Sequence, residues 1–319
     1  MAGDDNELRK LSPSPVDEDE FIDLEANAAE ISRHGPQARR PWWKRPGLGL
    51  SGGHWDSWLT SVQKYSTIGP TIFLGLHFAN TSVIPLVTRS IPESESYLLL
   101  TREIYQAPAF EHALLTVPVI AHVLSGTLRR ILRQRRHARM FGITPGKKPT
   151  SVGFGSQDKV GYALILLLGT HVVVNRVVPL YVDGGSSSVG LGYVSYGLQK
   201  APWFMNLGYA ALIGATVCHF VGGTAFHFGW RNVLEWSGRG QISAERGKSD
   251  ADSSVSANRH SRRRRRWLIA SGLATTLAVT WLAGLKLIAD NRSFLSWEAT
   301  EWDRLYKSIP ILGKYIFSS

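Results

Sequence analysis

Five apolar stretches of about 20 residues limit what this chain can fold into, because a helix of that length is what crosses a bilayer. They lie at residues 67–87, 110–128, 160–182, 203–228 and 267–289. The sequence therefore predicts an all-α integral membrane bundle of five transmembrane helices. An odd number of spans places the two termini on opposite sides of the membrane.

The segments between these stretches differ in charge, and the difference predicts their orientation. Residues 129–159 carry nine Lys and Arg against one acid, and residues 231–266 carry ten against four. Residues 88–107 have two basic and three acidic side chains, and residues 183–202 have one of each. Cationic loops stay on the cytosolic side. The amino terminus and both basic loops are therefore predicted to be cytosolic, with the carboxyl terminus across the membrane.

The first four stretches contain a tandem two-helix repeat. Gly-x-His, followed eight residues after the histidine by Pro-Leu, occurs at His77 and again at His171, an offset of 94 residues (171 − 77). His-x-x-x-Gly-Thr begins at His122 and again at His219, an offset of 97 (219 − 122). One two-helix unit is thus used twice, and the fifth helix stands outside the repeat. In membrane proteins such repeats often frame the functional site.

The four repeated histidines are the sharpest chemical signal, because ionisable groups inside a membrane tend to be functional. Two axial imidazoles on facing helices suit a b-type haem. Helices one and three run in the same direction, as do two and four. Matching depth therefore pairs His77 with His171 and His122 with His219 as haem ligands. The alternative is that each histidine bonds a Ser, Thr or backbone carbonyl on an adjacent helix and fixes the bundle.

Other chemistry finds little support in the sequence. Zinc is disfavoured because there is one thiol, Cys218, and no acid near the histidines. His227 is predicted to be interfacial. The sequence contains no nucleophile with a base, no phosphate-binding loop and no paired carboxylates, so no catalytic residue is predicted. The arginine run at 262–266 abuts Trp267 at a helix start, which favours a topology anchor at anionic headgroups over nucleic-acid binding.

The chain divides into three predicted regions. Residues 1–57 form a disordered cytosolic tail without a secretory signal, residues 58–289 the membrane domain with its two basic loops, and residues 290–319 an amphipathic helix on the distal surface. The tail contains spaced leucines and alternate prolines that would hold it extended for docking. Such motifs also arise by chance in disordered tails. The residues of this motif are Leu8, Leu11, Pro13 and Pro15.

With these features, the chain resembles a fungal family of mitochondrial outer-membrane proteins concerned with lipid homeostasis, the Mdm-ten-complementing protein one family. The resemblance covers the membrane region and extends to the tail motif. It implies that the four tail residues dock a bridge-like lipid transporter of the vacuolar protein sorting thirteen type. It also implies that the protein lies in the outer membrane with its carboxyl terminus in the intermembrane space. A more distant likeness links the bundle to the haem-carrying anchor subunits of succinate dehydrogenase and fumarate reductase.

The family resemblance implies a mechanism as well. Lipid delivered to one leaflet unbalances a membrane, so a scramblase that equilibrates the leaflets is expected beside the bridge. Polar side chains near the distal ends of helices one and three would line the lipid path, and the basic loops would gather anionic headgroups. The alternative is ordinary interhelical bonding. The residues of this predicted path are Asn80, Thr81, Ser82, Asn175 and Arg176.

Overall fold

The computed structural model describes residues 52–140, 156–230 and 250–317, and it contains no strand in those ranges. The chain divides into two units after Trp55, and residues 56–319 form the larger unit, which holds the bundle. The docking motif and parts of both basic loops lie outside the described residues. Five helices are long and apolar enough to span a membrane, which confirms the predicted fold: Trp55–Thr88, Ala109–Arg135, Ser156–Asp183, Pro202–His227 and Arg264–Asp290.

These five spanning helices, numbered one to five in chain order, consist of shorter segments. The α-helical segments are Gly52–Tyr65, Ile68–Phe78, Ile84–Thr88, Pro108–Glu111, Val117–Met140, Ser156–Val172, Val178–Asp183, Pro202–His227 and Asp250–Asp290. Three π-helical segments interrupt them, at Ala79–Val83, His112–Thr116 and Val173–Val177. Outside the spans lie four further helices, Ile91–Tyr105, Leu191–Lys200, Ser296–Lys307 and Leu312–Ile316.

Proline explains where the π-helical segments occur. Each segment ends two residues before a proline, at Pro85, Pro118 and Pro179. Proline has no N–H and its ring crowds the carbonyl four residues back, so the helix widens locally. Helix four has no proline after Pro202 and continues as an α-helix to His227. Helices one and three therefore share a π-helical segment at equivalent positions of the repeat. Helices two and four differ, because only helix two contains such a segment.

Glycines set the close contacts of helix one. A Cβ on Gly69 would overlap the carbonyl oxygen of Leu114 in helix two, and a Cβ on Gly284 of helix five would lie 2.5 Å from Ser82 Cα. The Ser82 hydroxyl donates to the carbonyl of Thr280 at 2.7 Å. Helix one is thereby held between helices two and five, as small residues permit in membranes. Helix four packs on helices three and five.

At the distal end, four short helices form a layer that we call the distal platform: Ile91–Tyr105, Leu191–Lys200, Ser296–Lys307 and Leu312–Ile316. Its centre is aromatic. Tyr306 is fully buried and stacks on Tyr193 with ring centroids 4.4 Å apart, and its hydroxyl donates to the Tyr193 carbonyl. The Trp302 indole donates to the Ser188 carbonyl at 2.9 Å. Leu305 and Phe317 are also buried.

Two carboxyl groups link parts of the platform. Burial raises the pKa of Glu95, while bonds from the backbone of Leu191 and Gly192 oppose that rise. Glu95 thus caps the start of the Leu191–Lys200 helix. Burial raises the pKa of Asp303, but hydrogen bonds from Lys307, Lys200 and a tyrosine prevail, so its pKa is lowered.

The platform is more structured than the sequence predicted. The segments 88–107 and 183–202, which the sequence marks only as the less basic connections between spans, each contain a helix. The carboxyl-terminal segment was predicted to be one amphipathic helix, and it contains two, separated at Pro310. Proline disfavours helical backbone at the residue before it. The apolar side of the first of these helices faces other platform helices, because Trp302, Leu305 and Tyr306 are buried there.

Candidate functional site: two histidine pairs

The structure brings the four histidines together in the two predicted pairs. The ring centroids of His77 and His171 are 6.0 Å apart, with 73° between the ring planes. Those of His122 and His219 are 6.1 Å apart, at 88°. Each pair joins helices that run in the same direction, one from each copy of the repeat. The first pair, in the distal half, is called the distal pair, and the second, nearer the basic loops, is called the basic-end pair.

Glutamine residues hold the basic-end pair. His122 Nδ1 lies 3.1 Å from the backbone carbonyl of Gln63 and 3.5 Å from the Ser66 hydroxyl. Across the pair, the Gln157 side chain lies 3.3 Å from His219 Nδ1 and donates to the His219 carbonyl at 2.8 Å. The His219 ring also interacts with the Gln157 backbone carbonyl. Each histidine is therefore oriented from the helix that precedes its own.

The sequence reasoning missed these glutamines, although the repeat contained the signal. Gln157 follows Gln63 by 94 residues (157 − 63), the offset that separates His171 from His77. Each glutamine also lies against a glycine of the facing helix. A Cβ on Gly126 would be 2.9 Å from Gln63 Nε2, and a Cβ on Gly222 would overlap Gln157 Oε1. The small residues after each histidine make room for the glutamine.

Aromatic rings surround the distal pair. His77 stacks on Phe73 at 5.3 Å and meets the Trp281 ring of helix five edge-on at 6.2 Å. His171 meets the Tyr209 ring of helix four edge-on at 5.9 Å. The structure shows no hydrogen bond from the His77 ring to any residue in its described ranges. The His77 ring is therefore positioned by packing, whereas both rings of the basic-end pair have hydrogen-bonding partners.

In the π-helical segments of helices one and three, a polar side chain donates a hydrogen bond to the backbone carbonyl of the distal histidine. Thr81 donates from its hydroxyl to the His77 carbonyl at 2.7 Å, and Asn175 donates from its amide to the His171 carbonyl at 2.8 Å. Both partners are four residues after their histidine, at the repeat offset of 94 (175 − 81). Asn175 also lies 3.2 Å from His171 Nδ1. Each of these side chains therefore adds a hydrogen bond to the carbonyl of the histidine one turn before it.

The remaining residues of the predicted lipid path have protein partners. Asn80 is 2% exposed and donates to the Thr101 hydroxyl at 2.8 Å. Arg176 forms a two-point ion pair with Glu111, at 3.0 and 2.5 Å. The side-chain oxygens of Asn80 and Asn175 are buried without a partner among the described residues. The contacts are those expected of interhelical bonding, and the lipid path stays a prediction.

A buried arginine connects this region to the distal platform. Arg102 donates to the carbonyls of Val189 and Ser186 and to the Ser186 hydroxyl. Burial lowers the pKa of its guanidinium. Arg176 also donates to the Ser186 hydroxyl. Two arginines therefore fasten the segment that follows helix three.

At the opposite end, the basic segments meet the start of helix one. Arg129 pairs with Asp56 at 3.7 Å, and Arg130 pairs with Asp158 of helix three at 2.6 Å. Arg266, where helix five begins, lies 5.7 Å from the Trp230 ring after helix four. The described parts of both basic loops therefore lie at the end of the bundle where helix one begins.

Metal chemistry is limited by the ligands present. No three His, Cys, Asp or Glu side chains cluster as a metal site within residues 52–140, 156–230 and 250–317. A bis-histidine haem takes two protein ligands, and the histidine pairs are the groups that would offer them. The residues of the predicted docking motif, Leu8, Leu11, Pro13 and Pro15, lie outside the described residues.

Comparison with known proteins agrees with the family resemblance. Residues 166–293 match the family model described as MDM10-complementing protein 1, transmembrane domain. The chain is 26% identical over 265 residues to the mitochondrial adapter protein MCP1 of Saccharomyces cerevisiae, covering 72% of this chain and 84% of that relative. The predicted family resemblance is thereby confirmed. No solved structure matches the chain, so the likeness to succinate dehydrogenase and fumarate reductase anchors stays a prediction.

Proposed function

We propose that this member of the MDM10-complementing protein 1 family is a mitochondrial membrane adapter that recruits a bridge-like lipid-transfer protein through its amino-terminal tail. The name of the yeast relative, mitochondrial adapter protein, supports the adapter role. The proposed contact residues are Leu8, Leu11, Pro13 and Pro15, and the partner is of the vacuolar protein sorting thirteen type.

The observation that carries the proposal is the shared position of the basic segments and the tail entry. Arg129 and Arg130 contact the starts of helices one and three, and Arg266 lies at the start of helix five. By the positive-inside rule this end faces the cytosol. The tail then leaves the bundle on the cytosolic side of the outer membrane, where a lipid bridge can reach it, and the distal platform faces the intermembrane space.

The docking proposal is tested with the full-length protein in mitochondria. Changing Pro13→Ala together with Pro15→Ala should abolish co-purification of the lipid-transfer partner, because the segment loses its extended preference. Membrane insertion should not change. The matched control is Ser12→Ala with Ser14→Ala, which alters the same segment and keeps both prolines. Undiminished recruitment by the double proline variant would remove the docking proposal.

Lipid scrambling is a proposed accompaniment of recruitment. Its path would follow the polar ends of helices one and three, with the basic segments concentrating anionic headgroups. In liposomes with a fluorescent lipid in both leaflets, a membrane-impermeant quencher should remove about half of the signal without protein and more with it. Asn175→Leu should slow the additional loss of signal that the protein causes. Asn206→Leu, on the exposed side of helix four, is the control, and equal rates for both variants would contradict the path.

A second candidate function is that of a bis-histidine haem b membrane oxidoreductase or redox sensor. It is favoured by the pairing of His77 with His171 and of His122 with His219. A bound haem would supply one-electron exchange between its ferric and ferrous states. The test is the absorbance spectrum of purified protein from haem-supplemented cells. A visible band that sharpens on reduction supports it, and a colourless protein excludes it.

A further inference from the structure

We propose that the platform helix Ile91–Tyr105 is re-entrant: it returns into the distal leaflet beside helix one, and its exposed side contacts the acyl chains of membrane lipids. The chain then reverses inside that leaflet, before helix two begins at Pro108. The helix has this position whether or not the tail docks a partner, the bundle scrambles lipids or the histidines bind haem.

Two hydrogen bonds show that this helix runs antiparallel to the distal part of helix one. Near its start, the hydroxyl of Ser94 lies 2.8 Å from the hydroxyl of Thr88. Two turns later, the Asn80 amide donates to the Thr101 hydroxyl at 2.8 Å. The helix has advanced by seven residues (101 − 94), while its partner on helix one has moved back by eight (88 − 80). The two helices therefore stay side by side, and the shorter one does not leave the bundle.

The end of the helix lies closest to the middle of the bundle. The Tyr105 ring meets the Phe73 ring edge-on, with centroids 5.0 Å apart. Phe73 is also the ring that stacks on His77 of the distal pair. The last turn of this helix is therefore at about the depth of the distal histidines, whereas its first turn is beside the end of helix one.

The membrane extends outward at least to the end of helix one, because apolar side chains are exposed there and need lipid to cover them. Val87 is 77% exposed, and Tyr181 near the end of helix three is 90% exposed. Seven residues separate Val87 from Asn80, the partner of Thr101 (87 − 80). At 1.5 Å per residue, Thr101 lies about 10 Å inside that level. Half of the hydrocarbon core is about 15 Å thick, so the second half of the helix lies within the leaflet.

The exposed side of the helix changes from polar to apolar in the same direction. In the first half, Glu93 and Ser96 are exposed. In the second half, Tyr97, Leu100 and Ile104 are exposed, spaced three and four residues apart on one face. Because the helix packs on helix one and on the start of helix two, this face adjoins their lipid-facing surface. Its cover is therefore lipid rather than a protein partner.

One acidic side chain, Glu103, is exposed in that second half. Side chains on a helix point toward its amino-terminal end, which here is the distal surface. The Glu103 carboxylate can therefore extend outward to the headgroups, as long polar side chains do in membranes. The other charged residue of this half, Arg102, is buried and donates to the Val189 carbonyl inside the protein.

The chain can reverse inside the leaflet because the polar groups of the turn bond within the protein. An unsatisfied backbone group is costly in hydrocarbon. The N–H of Gln106 donates to the Arg102 carbonyl at 2.8 Å, and its side-chain oxygen accepts from the Arg102 guanidinium at 3.3 Å. The Ser186 hydroxyl donates to the same oxygen. Helix two then starts at Pro108, which has no N–H to satisfy.

The experiment places a depth reporter on the full-length protein. Cys218→Ala removes the natural thiol, and Glu93→Cys, Leu100→Cys or Ile104→Cys introduces one new thiol. Each variant is labelled in detergent with nitrobenzoxadiazole and reconstituted into phosphatidylcholine liposomes that carry a nitroxide either at the headgroup or midway along the acyl chain. The acyl-chain nitroxide should quench the labels at 100 and 104 more strongly than the headgroup nitroxide does. The label at 93 should show the reverse order.

Two control positions calibrate the quenching. Val87→Cys reports the lipid-facing end of helix one, and Thr300→Cys reports an exposed polar position on the platform helix Ser296–Lys307. Circular dichroism and gel filtration that match the natural protein establish that each variant is folded.

Two results would overturn the re-entrant assignment. Stronger quenching by the headgroup nitroxide at 93, 100 and 104 alike means that the helix lies flat on the membrane surface. Quenching at 100 and 104 as weak as at 300 means that water covers this face. Neither result bears on tail docking, scrambling or haem.

Discussion

The distal pair and the basic-end pair have nearly the same ring spacing but different surroundings. His122 and His219 are oriented by glutamines that belong to the repeat. His77 and His171 are enclosed by aromatic rings, and one of these, Trp281, belongs to helix five, outside the repeat. Duplication thus accounts for the pairing at both depths. The surroundings of the distal pair depend on elements that the repeat does not contain.

The two ends also differ in what lies beyond them. The distal pair is followed by the distal platform, with buried Tyr306 and Arg102. The basic end has ion pairs of partly exposed side chains, such as Arg129 with Asp56. Exposed ion pairs contribute little to stability, whereas buried aromatic packing contributes several kcal/mol. We therefore expect the distal half to be the more stable one, and substitutions in each half can test that difference, from the largest expected effect to the smallest.

Removing the Tyr306 ring from the centre of the platform should make the distal half less stable than the basic end. Tyr306→Ala should lower the free energy of unfolding by about 3–5 kcal/mol, because a fully buried aromatic side chain is lost from a packed centre. Hydrogen exchange should accelerate in residues 191–200 and 296–307, and much less around Gln63 and His122. The control is Tyr315→Ala, whose ring is 74% exposed. Equal acceleration at both ends would show that the bundle unfolds as one unit.

A wider separation of helices five and one should destabilise the surroundings of the distal pair and leave those of the basic-end pair unchanged. Gly284→Ala places a Cβ 2.5 Å from Ser82 Cα, so a backbone must move. Overpacking of this kind typically costs about 1–3 kcal/mol, which would appear as a lower unfolding temperature in detergent. Gly272→Ala on the same helix meets nothing within 4 Å and should be neutral or stabilising. If the two variants behave alike, the close contact is not important for the bundle.

The platform should respond to pH through Glu95. Its pKa in the folded protein is raised by burial, so the folded state binds the proton more tightly than the unfolded state. Stability from this group is therefore greatest below the unfolded pKa and falls as pH rises through the folded pKa. The unfolding temperature should decrease over that interval in the natural protein and stay flat in Glu95→Gln.

The contribution of Asp303 to stability has the opposite pH dependence to that of Glu95, in the same platform. Its pKa is lowered, so its contribution is lost as pH falls through the folded pKa, below the ordinary value of 3.8. The two groups therefore act in different pH intervals. A decrease in unfolding temperature over the same pH interval that survives in Glu95→Gln would contradict the assignment to Glu95.

The smallest effect is expected from one interhelical hydrogen bond. Ser82→Ala removes the bond to the Thr280 carbonyl, and such bonds in membrane proteins average about 0.6 kcal/mol. Thr276→Ala is the control, since that hydroxyl donates within its own helix to Gly272. The difference between the two variants in unfolding temperature measures the bond. A loss larger than that of Gly284→Ala would mean that this hydrogen bond outweighs the close packing of helices one and five.

Much of the fold could be predicted from local pattern. Apolar runs gave the five spans, and the repeat frames gave the pairing of His77 with His171, since depth along a helix follows from residue number. Gln63 and Gln157 could have been found from the same offset. Trp281 and Tyr209 could not, because their contacts with the distal pair depend on which faces helices four and five present. The platform helices lie in segments too short and polar to span a membrane, and their burial depends on contacts with one another.

The sequence by itself determined the number of spanning helices and the pairing of the histidines, because both follow from hydropathy and offset along one chain. The tertiary structure decided what surrounds each pair, where helix five packs and how the distal segments fold into a platform. These depend on close contacts between residues far apart in the chain, such as Gly284 with Ser82 and Tyr306 with Tyr193. Side-chain shape and helix rotation set those contacts, and neither is encoded in hydropathy.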